Sequence, residues 1–237
     1  MKLSIIVPFF NEENHILETL QKLNELKFPS YISTIEFIVI DDGSSDNSHE
    51  IVSNFSKNKN NFIFLQHEIN RGKGAAVKTG IAKANGDIFL MQDADMELSI
   101  DDIIVLLDAM HRFNVQFVNG SRYLPGVLRP VSSYRRYLGN KIFTFITSIF
   151  INVKLTDMAC GYKLIHRDLY NKIKLKEERF GIEAEMILKA LRVRKNNIIE
   201  VPVHYFPRNY GEGKKLRNKD AFKILWTIIK YGILKFK

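Results

Sequence analysis

Short runs that are apolar at almost every position alternate, over the first 120 residues, with stretches whose apolar residues recur at helical spacing. Residues 3–9, 35–40, 62–65, 88–91 and 115–118 are the runs. Between them lie residues 11–26, with Ile16, Leu20 and Leu23 on one face, and a stretch to about 55 that Ser45 or Asp46 would cap. Residues 74–84 follow, then a helix that Ser99 would cap, carrying Ile103, Leu106, Leu107 and Met110. Strands apolar on both faces must be covered on both faces, which predicts an α/β fold with a largely parallel central sheet between two helical layers. In such sheets ligands bind beyond the carboxyl ends of the strands. The polar clusters Asn11-Glu12-Glu13, Asp41-Asp42 and Gln92-Asp93-Ala94-Asp95 begin where runs end, so they should meet in one crevice.

After residue 118 the rhythm changes. Gly120-Ser121-Arg122 opens a stretch with Pro125, Gly126 and Pro130 that reads as a mobile loop. Helices are expected over 134–150, 182–193 and 218–236, with a turn at 157–161 and a strand at 198–203. A chain of 237 residues, 46% hydrophobic, can bury the core of one such domain. Its single cysteine, Cys160, excludes an intramolecular disulfide framework and a cysteine-clustered metal site. The apolar runs 142–151 and 224–234 are too short to span a bilayer; 142–151 reads as a core helix, with a membrane-facing element as the alternative. The N-terminus enters its first strand with no long apolar leader, which suits a cytoplasmic protein.

The net charge is +9, unevenly placed. Residues 208–237 hold nine basic side chains against Glu212 and Asp220, and no acid falls between Asp108 and Asp157. A polyanionic partner follows: phosphate groups, a membrane surface or nucleic acid. At 100° per residue Lys219, Lys223, Lys230 and Lys237 share one face of the last helix, about 40° wide, which suits an anionic membrane. Packing of that helix on its own domain is the competing reading.

Asp93-Ala94-Asp95-Met96-Glu97 carries the sharpest chemistry. On an extended chain its three carboxylates face one way and need a cation. Mg²⁺ or Mn²⁺, shared with substrate phosphates, suits an all-oxygen donor set, and strand-end capping is the alternative. Arg71-Gly72-Lys73-Gly74 opens a helix whose amides could face phosphate, but it completes neither a Walker A loop nor G-x-G-x-x-G. Arg122, Arg135, Arg136, Lys163, Arg208 and Lys214 are candidate phosphate ligands.

Val7-Pro8-Phe9-Phe10-Asn11-Glu12-Glu13, Asp41-Asp42-Gly43-Ser44-Ser45-Asp46, Asn70-Arg71-Gly72-Lys73-Gly74 and Gln92-Asp93-Ala94-Asp95 stand in an order that resembles the GT-A glycosyltransferases of family 2. Gly120-Ser121-Arg122, Thr156-Asp157-Met158-Ala159-Cys160-Gly161-Tyr162-Lys163, Arg179-Phe180-Gly181-Ile182-Glu183-Ala184-Glu185 and Arg208-Asn209-Tyr210-Gly211-Glu212-Gly213-Lys214 narrow the resemblance to the dolichyl- or polyprenyl-phosphate hexose synthase branch. The resemblance implies a GT-A domain over residues 1–207, with a nucleotide-sugar half (1–120) and an acceptor half (121–207), followed by a basic loop and amphipathic helix (208–237). It implies that Pro8, Phe9, Asn11, Glu12 and Asp42 line a nucleoside pocket. Lys73, Asp93, Arg208 and Lys214 would contact the donor diphosphate. Asp93, Asp95 and Glu97 would hold Mn²⁺ or Mg²⁺; Glu97 departs from the Gln usual in those synthases. Arg122, Arg135, Arg136 and Lys163 would receive an acceptor phosphate. Asp157, with Asp95 and Arg122, would carry the transfer step, Asp157 being the base candidate. Expected partners are a nucleoside-diphosphate sugar, a lipid phosphate, the cytoplasmic face of an anionic membrane, and a membrane-anchored partner or second copy, but no nucleic acid.

A lipid phosphate with a second pKa near ~6 is already mostly dianionic at pH 7 and needs little help from a base. A hydroxyl acceptor would need a carboxylate such as Asp157. The tilt is to UDP-glucose over GDP-mannose. Transfer to a glycan hydroxyl stays the alternative, with a nucleotidyltransferase and a basic nucleic-acid binder behind it. The clustered acids would repel a nucleic-acid backbone unless a metal intervened.

Overall fold

The computed structural model describes residues 1–128, 133–193, 198–208 and 218–233, with side chains of 218–220 excluded. Lys214, Arg129, Pro130, Lys237 and the side chain of Lys219 lie outside the described residues.

Seven strands form one sheet: β1 (Lys2–Phe9), β2 (Thr34–Asp41), β3 (Phe62–Gln66), β4 (Ile88–Met91), β5 (Phe117–Ser121), β6 (Lys163–His166) and β7 (Ile198–Pro202). Their order is β3-β2-β1-β4-β6-β5-β7. β1 pairs in parallel with β2 and β4, β2 with β3, and β5 with β7, whereas β6 runs antiparallel between β4 and β5. The helices are α1 (Ile16–Glu25), α2 (Ser48–Ser56), α3 (Lys73–Lys83), α4 (Asp102–Phe113), α5 (Tyr134–Ile151), α6 (Arg167–Ile173), α7 (Gly181–Val193) and α8 (Asn218–Gly232).

Side-chain alternation along the strands builds two cores. Leu3, Ile5 and Val7 of β1, Phe37 and Val39 of β2, and Leu90 of β4 meet α1, α2 and α4 on one face. Ile6, Ile38, Ile40, Phe89 and Met91 meet α3, α6, α7 and α8 on the other. Period-2 burial on both faces is why these strands read as nearly continuous apolar runs.

Four expectations change. β6 and α6 are not foreseen, because Lys163–His166 is four residues long and runs straight into a helix with no Gly or Pro between. α1 begins at Ile16 rather than near Asn11, because Asn11 sits at φ 51° and residues 11–15 turn before the helix. α4 begins at Asp102, after a turn in which Ser99 carbonyl accepts from the Asp102 amide, so Ser99 is not its cap. Finally, 142–151 is not a core helix. Only Thr144, Thr147 and Ile151 of α5 are buried, and its outer face is apolar and exposed.

α8 packs on α5 and α7 through Ile224, Thr227, Ile228 and Tyr231. Lys230 does not face outward in a stripe; it pairs with Glu177 at 2.9 Å.

Candidate functional site

β6 determines where the site lies. Because it runs antiparallel to β4, with Met91 opposite Lys163, the loop leading into it returns to the carboxyl ends of β1, β2 and β4. Asp157–Gly161 is thereby carried next to Asp93. The contact is so close that a Cβ on Gly161 would overlap Asp93 Oδ2, so a larger residue there would push the Asp93 carboxylate aside.

The acidic segment after β4 is not extended. Met96 adopts φ 58° and the chain turns at 94–96, so the three carboxylates do not line one edge as alternation would have it. Asp93 faces Lys73 at 2.6 Å, and Lys73 also meets Glu183 at 2.6 Å. Asp95 and Glu97 turn toward Arg208 instead. Residues 97–99 pair with 204–206: the Phe206 amide donates to Glu97 carbonyl, and Leu98 bridges Tyr205. That short ladder brings Arg208 into the crevice. Its guanidinium lies 3.0 Å from Glu12, 3.1 Å from Asp95 and 3.8 Å from Glu97.

Charges dominate this end of the crevice. Burial, with Asp93 and Glu97 nearby, raises the Asp95 carboxyl to about 7. Burial works against the Lys73 ammonium, but Asp93 and Glu183 outweigh it and raise it above its usual value. Among the described residues no three His, Cys, Asp or Glu side chains converge as a ready-made metal cage. The donor set is nonetheless all oxygen, and its charge is offset by two cationic side chains. That fits a hard divalent ion held by one or two carboxylates together with substrate phosphates.

At the other end, Asp157 is fully buried. Arg122 grips it twice, Nε at 2.7 Å and Nη2 at 2.9 Å, and adds its backbone amide at 3.1 Å. Asn140 of α5 donates to Asp157 Oδ1 at 3.2 Å. Burial pushes the Asp157 carboxyl up, but Arg122 outweighs it and holds it below the usual carboxylate range. A carboxylate so held is a poor proton acceptor, which argues against the base role. Glu200 of β7 fixes the same loop, accepting from the Thr156 and Asp157 amides at 2.8 and 3.3 Å and from Asn119 at 3.0 Å.

Several expected ligands have other work. Lys163 is buried, and its Nζ donates to Asn119 Oδ1 and to the carbonyls of Met158 and Cys160 at 2.7–3.2 Å. All three ammonium donors are used, so it cannot receive an acceptor phosphate. Asp42 is buried too, accepting from His67, the Arg71 amide and the Gly72 amide at 2.7–3.0 Å. It holds the 70–72 loop rather than presenting oxygens to a nucleoside. Pro8 is buried, and Phe9 stacks on Phe64 within the core. The start of α3 is closed: the Ala75 amide donates to Glu178 carbonyl, and a Cβ on Gly72 or Gly74 would strike residues 177–179. Those glycines serve close packing, not an open phosphate cradle. Asn11 bridges to Ser44 and Ser45, fastening the end of β1 to the loop after β2. Arg135 is exposed and Arg136 partly buried on the first turn of α5, one turn from Asn140.

Glu183 and Glu200 are site residues that sequence reasoning did not single out. Glu183 sits in a quoted motif, but its partner Lys73 lies 110 positions away. Glu200 is a lone acid in an otherwise apolar strand, and its partners Asn119 and Asp157 lie 81 and 43 positions away.

The chain matches the family model "Glycosyl transferase family 2" over residues 4–174. A dolichyl-phosphate beta-glucosyltransferase of Trichomonas vaginalis is 30% identical over 241 residues, covering 98% of this chain and 73% of the relative. A dolichol-phosphate mannosyltransferase of Pyrococcus furiosus is 27% identical, covering 100% of this chain and 65% of the relative. Among solved structures, glucosyl-3-phosphoglycerate synthase of Mycobacterium tuberculosis, in complex with Mn²⁺, UDP and phosphoglyceric acid, superposes with a TM-score of 0.74 at 17% identity, covering 98% of this chain and 78% of that one. A GT-A fold, an acidic crevice at the strand ends and a family match over most of the chain lead to one conclusion: this is a glycosyltransferase, and it belongs to family 2.

Proposed function

We propose that the chain moves a hexose from a nucleoside-diphosphate sugar to the phosphate of a polyprenyl lipid, with inversion at the anomeric carbon. The observation that carries the choice of acceptor is the Asp157–Arg122 pair. Where a hydroxyl acceptor would need a base, the crevice holds a neutralised, fully buried carboxylate and a guanidinium. An acceptor that arrives ionised has no proton to give up, and a cation is what it needs. The relatives named for dolichyl-phosphate transfer support the same reading, and the glucosyltransferase among them favours glucose.

In this reading Asp93 and Asp95, with Glu97 beside them, hold Mn²⁺ or Mg²⁺, which supplies charge stabilisation to the departing diphosphate. Arg208 and Lys214 bind that diphosphate, and Lys73, anchored by Glu183, positions Asp93. Asn11 and Glu12 border the nucleoside pocket, while Pro8, Phe9 and Asp42 support it from beneath. Arg122 is oriented by Asp157 and, with Arg135 and Arg136, binds the acceptor phosphate. A phosphate oxygen attacks the anomeric carbon from the face opposite the diphosphate. The carbon–oxygen bond to the diphosphate breaks, the nucleoside diphosphate leaves with the electron pair, and no proton moves.

The test is transfer of radiolabelled sugar from UDP-glucose and from GDP-mannose to a short polyprenyl phosphate, with Mn²⁺, with Mg²⁺ and with EDTA. Metal-dependent lipid product that disappears in Asp95→Ala is the expected result. Metal-dependent donor hydrolysis with no lipid product, and transfer to sugar hydroxyls instead, would overturn the acceptor assignment.

A further inference from the structure

One side chain reaches both ends of the crevice. Tyr205 lies just past the end of β7, in the segment that pairs with residues 97–99. The same segment is joined to β5, where the Val203 amide donates to Ser121 carbonyl at 3.0 Å. Ser121 directly precedes Arg122, and Leu98 directly follows Glu97. Tyr205 therefore stands between the cation of the acceptor half and the last acid of the donor half.

Its side chain touches both. The Tyr205 hydroxyl is hydrogen-bonded to Glu97. Burial, with Glu97 beside it, pushes that hydroxyl up to about 12, so near neutral pH it is a phenol that donates to the carboxylate. On the other side Arg122 Cζ stands over the Tyr205 ring, 5.1 Å from its centroid, within cation–π range. The ring belongs to the apolar core that also holds Leu98, Tyr162 and Val203, and close packing leaves it little room to tip.

The two contacts restrain different things. Asp157 takes Arg122 Nε and Nη2, which fixes the edge of the guanidinium plane. A ring against the face of that plane fixes the direction that hydrogen bonds at its edge leave soft. Glu97, for its part, accepts from the Arg208 amide at 3.1 Å and has the Arg208 guanidinium at 3.8 Å. When Glu97 shares its charge with a cation at the donor end, it accepts less strongly from the Tyr205 hydroxyl. That change reaches the ring, and through the ring the face of Arg122.

We propose that Tyr205 is a positioning residue that ties Glu97 at the donor end of the crevice to Arg122 at the acceptor end, so that loading of the donor is felt at the group that receives the acceptor. Its purpose rests on the polyprenyl-phosphate reading; its first test needs no acceptor. The full chain, isotope-labelled on arginine nitrogen, is titrated with Mg²⁺·UDP and with Mg²⁺·GDP, and the Arg122 Nε–H resonance, identified by its loss in Arg122→Lys, is followed. Expected is a resonance that moves as the nucleotide saturates the wild type and stays in place at equal saturation of Tyr205→Phe, which keeps the ring and the melting temperature but lacks the hydroxyl. In transfer assays Tyr205→Phe should lower kcat about tenfold with little change in acceptor KM. Tyr205→Leu, which also loses the ring, should raise that KM about tenfold. In an Arg122→Ala background Tyr205→Leu should add nothing to acceptor KM, because the group the ring holds is gone. A resonance that stays still in the saturated wild type would overturn the proposal. So would one that moves equally in Tyr205→Phe, since the Gly161–Asp93 contact would then be the route, or additive effects of Tyr205→Leu and Arg122→Ala. A Tyr205-dependent shift in a chain that makes no lipid product would leave the tie standing and remove the acceptor reading instead.

Discussion

Replacing Arg208 with alanine should move two affinities in opposite directions. Arg208 now stands as counter-ion to Glu12, Asp95 and Glu97, two of them at 3.0 and 3.1 Å. A divalent ion entering among these carboxylates must displace it. The bare attraction of each close pair is about 5 kcal/mol at an effective dielectric of ~20, but desolvation offsets most of it. A net value of about 1.5 kcal/mol for each charge-assisted bond is the sounder guide. Two such bonds come to about 3 kcal/mol, or ~100-fold in Kd, an upper bound because the released guanidinium regains solvent. Arg208→Ala should therefore bind Mn²⁺ alone about 10- to 100-fold more tightly than the wild type. With UDP present the sign reverses: a guanidinium freed by the metal can reach the diphosphate, so its loss should weaken UDP binding about tenfold. Calorimetric titration of Mn²⁺ with and without UDP reads both values, and Arg208→Lys, which keeps charge without the fork, should fall between. Unchanged or weaker Mn²⁺ binding in Arg208→Ala would refute the counter-ion reasoning.

The rate with a polyprenyl phosphate should rise with pH to a plateau set by the acceptor's own second ionisation near ~6. Asp157→Asn should lower kcat without removing that inflection; loss of the inflection would restore Asp157 as a base. The same substitution bears on stability. Because the Asp157 carboxyl is held below its unfolded value, its contribution is present above about pH 4 and is lost as pH falls through the depressed native value. Acid-unfolding curves of Asp157→Asn should therefore be flatter at their low-pH limb. Lys163→Met should destabilise by about 3 kcal/mol, through three acceptors left unpaired, in denaturant melts. The folded Lys163→Met enzyme should keep its acceptor KM, whereas Arg122→Ala should raise it. Cys160 is buried, and burial pushes its thiol up to about 12. It should react with a thiol reagent at pH 8 only as fast as the chain opens.

Local order was legible because strand burial writes itself into composition. Ile88–Met91 is an apolar run since all four residues are buried and both sides of the strand are covered. β6 escaped because four residues inserted antiparallel between β4 and β5 carry no pattern of their own. Missing β6 also hid why Asp157–Gly161 belongs to the crevice.

The sequence by itself determined the layered α/β fold, the family and the acidic cluster at the strand ends, since periodicity and ordered motifs are properties of neighbouring residues. Tertiary structure decided which of those residues are available. Asp42, Phe9 and Lys163 carry the right chemistry in the right motifs, yet each is buried and engaged, Asp42 and Phe9 by partners tens of residues away and Lys163 by distant Asn119 together with two carbonyls of its own loop. The outer face of α5 went the other way, from expected core to exposed surface. An apolar helix stripe has the same periodicity whether a sheet, a subunit or a bilayer covers it, and only the packing of the whole chain shows which face was left open.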